Sequence, residues 1–415
     1  MHLSLPIKKN ALGNALGLAR AFVVLAFVAV QVATPAFSQS PPAATDKPAS
    51  NASAPAVFAT EAKQVLLIEE ETGSVLFEKN TSTPFSSASL SKLMTVELVL
   101  DALKSGKLSL TQEFPVSEYA WRTGGAPSRT AAMFAAVRSR VPVEALLKGA
   151  MVQMANDACL ILAEGMAGSE DNFVKMMNAR AIALGLKDSH FANATGLPNP
   201  DNKVSARDLI SLAEHIKNTY PEFYKLYAQP EFEWNRIAQR NRNPLLGQVP
   251  GVDGLVAGFA EGEGYSIVAS AEQNGVRLYL ALAGSATEQT RRDDAARAFA
   301  WGFSAFEKKR LFEAGQIVGK ASVYGGEPGE ISLASPQAVD VYVPTDAAGK
   351  LTAKLVYRWP LRPPIAQGQE VARLHILLGD KELRDLPLQA VEPSTLGALM
   401  KRVRDAVVEL LFSWV

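Results

Sequence analysis

The sequence predicts an α/β domain, a cluster of helices inserted into one mostly antiparallel sheet, followed by a small all-β domain and a terminal amphipathic helix. Strand-like runs near Gln64 and again near Tyr265 and Val276 enclose a long stretch of helical periodicity. After Gly315 the texture changes to short alternating stretches punctuated by Gly and Pro, the mark of a β-module. From Pro393 onward, apolar residues recur at helical spacing to the last residues.

The chain opens on an expected export signal over residues 1–38. Lys8, Lys9 and Arg20 precede an apolar run from Ala21 to Val32, and small residues around Ala36 supply a cleavage site. The run is short for a membrane-spanning helix, and an uncleaved anchor is the alternative. Residues 39–57, rich in Pro, Ala and Ser, have the composition of a disordered linker.

An α/β domain is expected over 58–310. Runs at Gln64 to Glu69 and Ser74 to Phe77 flank the turn signal Glu71-Thr72-Gly73 and predict a hairpin. Ser89 to Leu103 carries a mostly buried helical pattern that stops near Gly106. Further helical patterns cover Pro142 to Glu164, Asp171 to Leu184 and Ser205 to Lys217; strands return at Tyr265 to Ala271 and Val276 to Ala283, and a last helix spans about Arg291 to Phe306. The β-rich domain is expected over 315–391. Residues 394–415 put Leu396, Leu399, Met400 and Val403 on one face of a helix and Lys401, Arg402 and Arg404 on the other, a pattern suited to a bilayer interface or to packing against the protein itself.

With 42 Lys+Arg against 42 Asp+Glu, 415 residues carry no net charge to favour nucleic acid as a partner. Cys159 is the single cysteine, so no internal disulfide forms, and the four histidines are scattered without a metal-ligand spacing. Neither a metal nor a cofactor is expected.

Ser89-Leu90-Ser91-Lys92 is the segment with nucleophilic chemistry. On a helix, a spacing of three stacks hydroxyl and amine on one face. Burial that depresses the Lys92 amine would let it take the Ser89 proton as general base in an acyl-enzyme mechanism. By itself the pattern is common, and a solvated helix start capped by Ser89 fits it equally.

The surrounding residues carry more. Phe85 to Thr95, Leu147-Lys148-Gly149, Asn156-Asp157-Ala158-Cys159, Thr195-Gly196-Leu197, Ser205-Ala206-Arg207-Asp208, Asn241-Arg242-Asn243, Val252-Asp253-Gly254 and Gly264-Tyr265 occur in an order that resembles the penicillin-binding D-alanyl-D-alanine carboxypeptidases, from about residue 58 to the terminal helix. The resemblance implies a β-lactamase/DD-peptidase-like catalytic domain whose substrate is the terminal D-alanine of peptidoglycan stem peptides and whose ligands include β-lactams. It implies Ser89 as nucleophile, Lys92 as base, and Asn156 as partner of the substrate and the proton network. Backbone N–H groups of Ser89 and Phe259 would form the oxyanion hole. It also implies a place on the periplasmic face of the cytoplasmic membrane, held peripherally by the terminal helix.

Two of the family's three motifs are altered. The Ser-x-Asn position reads Met154-Ala155-Asn156, replacing a hydroxyl with a thioether, a poor hydrogen-bonding group. The Lys-Thr-Gly position reads Val256-Ala257-Gly258, so the cation and hydroxyl that grip a substrate carboxylate are missing while Gly258 keeps backbone clearance. Lys104-Ser105-Gly106 and Arg122-Thr123-Gly124 match the lost motif superficially but lie in the wrong chain order. Arg242, on a neighbouring loop, is the candidate replacement for the carboxylate grip. The sequence therefore supports a serine carboxypeptidase, or a family member that binds peptidoglycan or a partner without turnover. A β-lactamase is disfavoured, because no deacylating carboxylate can be assigned.

Overall fold

The computed structural model describes residues 58–346 and 351–403, together with the backbone of two short segments at 7–8 and 21–26. The expected export signal and linker lie otherwise outside the described residues. Two compact units are present, one centred on 75–304 and one on 305–403.

The first unit is built on a five-stranded antiparallel sheet. Its strands run in the order Val252–Ala260, Gly264–Gln273, Val276–Ser285, Gln64–Glu69, Val75–Lys79, so the hairpin expected at the start of the domain pairs with the strands that close it. Helix Glu288–Ser304 lies on this sheet. Its close approach depends on Gly302, where an added Cβ would come within 2.7 Å of Leu278 Cδ1 and 3.1 Å of Leu67 Cδ2.

Helix Lys92–Lys104 runs through the helical cluster and is buried on nearly every side, including Leu93, Met94, Val96, Val99 and Leu100. A helix apolar all round can only be an interior one. Its buried Glu97 is compensated by Arg180, at 2.6 and 2.8 Å, and by Tyr220 at 3.3 Å. An uncompensated carboxylate there would be costly.

The helical pattern expected across Pro142 to Glu164 is broken in two, Val143–Met151 and Asn156–Ala167. Met154 has φ 52°, in the left-handed region, and no helix passes through that conformation. Apolar spacing stays in phase across the break, which is why periodicity alone runs straight over it. The final helix ends at Ser304 rather than Phe306.

The second unit has strands Ile317–Ser322, Glu330–Ala334, Lys381–Ala390, Glu370–Leu378 and Leu351–Arg358 adjacent in that order, all antiparallel, with the backbone of Ala21–Ala26 alongside the last. Phe306–Phe312 pairs with Val339–Pro344, so this unit begins before residue 310, where the α/β domain is expected to end, and before Gly315, where the texture changes. Phe306 stacks on Tyr342 at 5.8 Å, fixing that strand at its start. The core is formed by Val323, Ile331, Leu333, Val341, Leu374 and Ile376 among others.

At the C-terminus, Thr395–Leu396 is a short strand paired with Gly326–Glu327, and helical backbone starts only at Leu399. The expected helix over 394–415 is therefore shortened at its start, and its continuation past Val403 lies outside the described residues. Among the described residues no helix is long and apolar enough to cross a membrane.

Candidate active site

Ser89 sits in a tight turn that the sequence builds from small residues. Ala88 has φ 45°, a conformation costing a non-glycine residue about 1 kcal/mol or more, and the chain then runs through the 3-10 turn Ala88–Ser91 into helix Lys92–Lys104. Two glycines make room for it. A Cβ at Gly196 would fall 1.4 Å from the Ala88 carbonyl oxygen, and one at Gly258 would lie 3.0 Å from Ala88 Cβ and 3.2 Å from the Ser89 nitrogen. Ser87 and Ser91 lock the turn from beneath, with Ser91 Oγ within hydrogen-bond reach of Ser87 Oγ at 2.6 Å and of Asn202 Oδ1 at 3.1 Å. Ser89 itself is half-buried, so its hydroxyl is reachable.

The Lys92 amine is buried and within 3.1 Å of Ser89 Oγ. It also donates to the Thr195 carbonyl at 2.5 Å. That carbonyl is held in place because Asn193 Oδ1 accepts the N–H groups of Thr195 and Gly196 at 3.2 and 2.6 Å, closing the loop on itself. Burial lowers the Lys92 pKa from 10.5 to about 8; nearby Cys159 pulls it upward and the positive charge of Arg242 pushes it further down. A neutral amine has two N–H groups and one lone pair. With Thr195 taking one N–H, the lone pair can face the Ser89 hydroxyl, which is the geometry of a general base. A solvated, merely capping role for Ser89 and Lys92 does not fit a buried amine, and the N-cap positions of this turn and of the helix that follows are Ser87 and Ser91 rather than Ser89.

Asn156 begins the helix Asn156–Ala167. Its backbone N–H donates to Ala131 O at 2.7 Å and its side-chain Nδ2 to Thr130 Oγ1 at 2.9 Å. Its Oδ1 is buried without a hydrogen-bond partner among the described residues. The side chain is thus engaged by Thr130, a residue for which the sequence gives no sign, rather than by Lys92. Met154 is buried at the break between the helices, and its Sδ accepts the Ala257 N–H at 3.4 Å. The thioether therefore does make one weak hydrogen bond, to the neighbouring strand.

Strand Val252–Ala260 carries the remaining expected residues. Alternation puts Val256 and Gly258 on one face, both buried, and Ala257 and Phe259 on the other. Gly258 approaches Ser89 as the sequence suggests. Val256 is 1% exposed inside the apolar core, and Ala257 is half-buried with no polar side-chain group to offer. Phe259 is 55% exposed and packs against Tyr265 at 4.6 Å. Behind it, Arg291 reaches the Gly258 carbonyl at 3.4 Å and lies over the Tyr265 ring at 5.5 Å, a contact that sequence spacing does not reveal. Arg242 is exposed; its backbone N–H donates to Val152 O at 3.0 Å, and its charge is close enough to act on Lys92.

Among the described residues, the one group of side chains with metal-ligand spacing, His375, Glu382 and Asp385, lies in the β-rich unit. Its members already pair with one another and with Arg373.

Comparison with known proteins fits this geometry. Residues 49–287 match the family model described as D-alanyl-D-alanine carboxypeptidase, and residues 306–393 match that of the C-terminal domain of penicillin-binding protein 5. The D-alanyl-D-alanine carboxypeptidase DacC of Escherichia coli (strain K12) is 33% identical over 373 residues, an alignment covering 87% of this chain and 93% of that one. Penicillin-binding protein 5 from Haemophilus influenzae superposes with a TM-score of 0.72 at 31% identity, over 81% of this chain and 98% of its own. Penicillin-binding protein D2 from Listeria monocytogenes, in its ampicillin-bound form, superposes with a TM-score of 0.51 at 28% identity, over 59% of this chain and 98% of its own.

Proposed function

Because this chain belongs to the D-alanyl-D-alanine carboxypeptidase family, we propose that it is a serine-type carboxypeptidase removing the terminal D-alanine of peptidoglycan stem peptides through an acyl-enzyme on Ser89. The observation that carries the proposal is the buried Lys92 amine, near pKa 8 and 3.1 Å from Ser89 Oγ. Ser89 Oγ attacks the carbonyl of the penultimate D-alanine while Lys92 takes its proton. The negative charge on the carbonyl oxygen is met by the backbone N–H groups of Ser89 and Phe259, next to the close approach of Gly258. Collapse breaks the peptide bond, Lys92 returns its proton toward the departing D-alanine amine, and water then hydrolyses the ester with Lys92 again as base.

Arg242 is the cation assigned to the substrate carboxylate, since Val256 and Ala257 have neither charge nor hydroxyl. β-Lactams are ligands of the same nucleophile. The protein acts outside the cytoplasm on the membrane's periplasmic face, with Leu399, Met400 and Val403, all exposed, starting the apolar side of an interfacial helix.

The burial of Val256 in the core favours a second reading, a family member that binds stem peptides or a partner without turnover. Labelling of the purified protein with a reporter penicillin, beside Ser89→Ala, tests the nucleophile. Label on the wild type that vanishes in the variant is expected. A folded wild type that takes no label would leave the non-catalytic reading.

A further inference from the structure

Helix Glu288–Ser304 brings one buried cation to the strand that carries Gly258. Arg291, near the start of that helix, is 4% exposed. Its Nη1 donates to the Gly258 carbonyl at 3.4 Å, its Nη2 donates to Glu288 Oε1 at 3.1 Å, and its guanidinium lies 5.5 Å from the centre of the Tyr265 ring. Its Nε is buried without a hydrogen-bond partner among the described residues. Glu288 is 67% exposed, so solvent screens that pair. The contact with Gly258 is the buried one. A buried charge is costly, and here its one inward hydrogen bond goes to a backbone carbonyl beside the nucleophile.

That carbonyl and the Phe259 N–H are the two ends of one peptide group. The group is trans and planar, so its C=O and N–H point to opposite sides. A cationic donor on the carbonyl side holds the group against tilting and strengthens the N–H on the other side as a donor. Support is needed at this place. Gly258 has no side chain to wedge the backbone, and Val252–Ala260 is an edge strand, paired along one side by Gly264–Gln273. The strand also approaches the nucleophile closely, since a Cβ on Gly258 would lie 3.2 Å from the Ser89 nitrogen. Arg291 is too buried to touch a substrate, so its charge acts through the peptide. A fixed charge behind a developing oxyanion needs no reorganisation as the reaction proceeds.

We propose that Arg291 is a positioning residue of the oxyanion hole: by donating to the Gly258 carbonyl it orients and polarises the peptide group whose other end, the Phe259 N–H, meets the oxygen of the reacting carbonyl. The proposal rests on the Ser89 acyl-enzyme reading above.

The test uses the full-length protein and a penicillin isotope-labelled at the lactam carbonyl. It reads the second-order rate of Ser89 acylation across pH, the infrared stretch of the acyl-enzyme ester carbonyl, and the melting temperature, in wild type, Arg291→Met, Arg291→Gln and Arg291→Lys. Arg291→Met is expected to lower the rate about tenfold, less than the hundredfold or more that follows loss of a whole oxyanion donor. Its ester stretch is expected to move to higher wavenumber, because a weaker hole polarises the carbonyl less. The midpoint of the pH profile is expected to stay in place, since Arg291 is not among the groups that set the Lys92 pKa. Arg291→Lys keeps a charge and a donor and is expected to recover most of the rate and the wild-type stretch. Should methionine unsettle the helix start, Arg291→Gln keeps an N–H donor without the charge and is expected to shift the stretch in the same direction with a smaller loss of rate. A folded methionine or glutamine variant whose ester stretch stays at the wild-type position, whether or not its rate falls, would overturn the positioning role alone. A wild type with no Ser89-dependent label would overturn the acyl-enzyme reading and this role with it.

Discussion

The pH dependence of Ser89 acylation follows from the burial of one amine. Only neutral Lys92 can accept the Ser89 proton, and burial brings its pKa from 10.5 to about 8. At pH 7 about a tenth of the molecules carry the neutral amine, against roughly three in ten thousand for a lysine at 10.5, a gain of about 300-fold in competent enzyme. Acylation by a reporter penicillin is thus expected to rise about ninefold from pH 6 to 7, about fivefold from pH 7 to 8, and less than about twofold from pH 8 to 9. Stopped-flow labelling across pH 6 to 10 measures this directly. A profile that is flat from pH 6, or one still climbing about tenfold per unit at pH 10, would refute Lys92 as the base in this environment.

Arg242→Ala removes a charge that holds the Lys92 pKa down. The midpoint of the acylation profile is therefore expected to move to higher pH; KM for a peptide ending in a free carboxylate is expected to rise more than that for its amide. Equal changes for both peptides would count against Arg242 as the carboxylate partner. Met154→Ser with Val256→Lys restores the two altered family residues, and a charge-assisted bond worth about 1.5–3 kcal/mol is expected to raise kcat/KM for a D-Ala-D-Ala peptide about tenfold or more. Because Val256 is 1% exposed, the same variant is expected to melt at a lower temperature, and a variant that melts normally without gaining activity would place the family lysine elsewhere. Gly196→Ala would drive a Cβ into the Ala88 carbonyl at a φ of 76°, so loss of both penicillin labelling and several degrees of melting temperature is expected; an unchanged variant would show that the Ala88 turn is not held from that side.

Much of this architecture can be seen in the amino-acid order because burial leaves a periodic trace. Helix Lys92–Lys104 and the strands Gly264–Gln273 and Val276–Ser285 are apolar where they face the core, and their spacing places them. The break at Met154 leaves no such trace, because a left-handed residue other than glycine has no compositional signal and the apolar phase continues past it. The start of the β-rich unit is hidden for a related reason. Phe306 reads as the end of the preceding helix, and the strand Phe306–Phe312 shows itself only with its partner Val339–Pro344, which is distant in sequence.

The site divides in the same way. Ser89 and Lys92 are three residues apart on one chain segment, so local spacing suffices to pair them, and Gly258 stands out as the surviving letter of its motif. Thr195, Thr130 and Arg291 act through contacts made across the fold. Thr195 contributes a backbone carbonyl, for which no side-chain identity is required. Thr130 meets Asn156 across 26 positions, and Arg291 meets Gly258 across 33.

The central claim is turnover at Ser89 despite the missing carboxylate grip of the Val256 strand. Release of D-alanine from a synthetic peptide ending in D-Ala-D-Ala, followed for the purified protein beside Ser89→Ala, tests it most directly. Release by the wild type and none by the variant is the expected result. A folded wild type that is acylated by penicillin yet frees no D-alanine would contradict the claim and leave a binding protein that retains a working nucleophile.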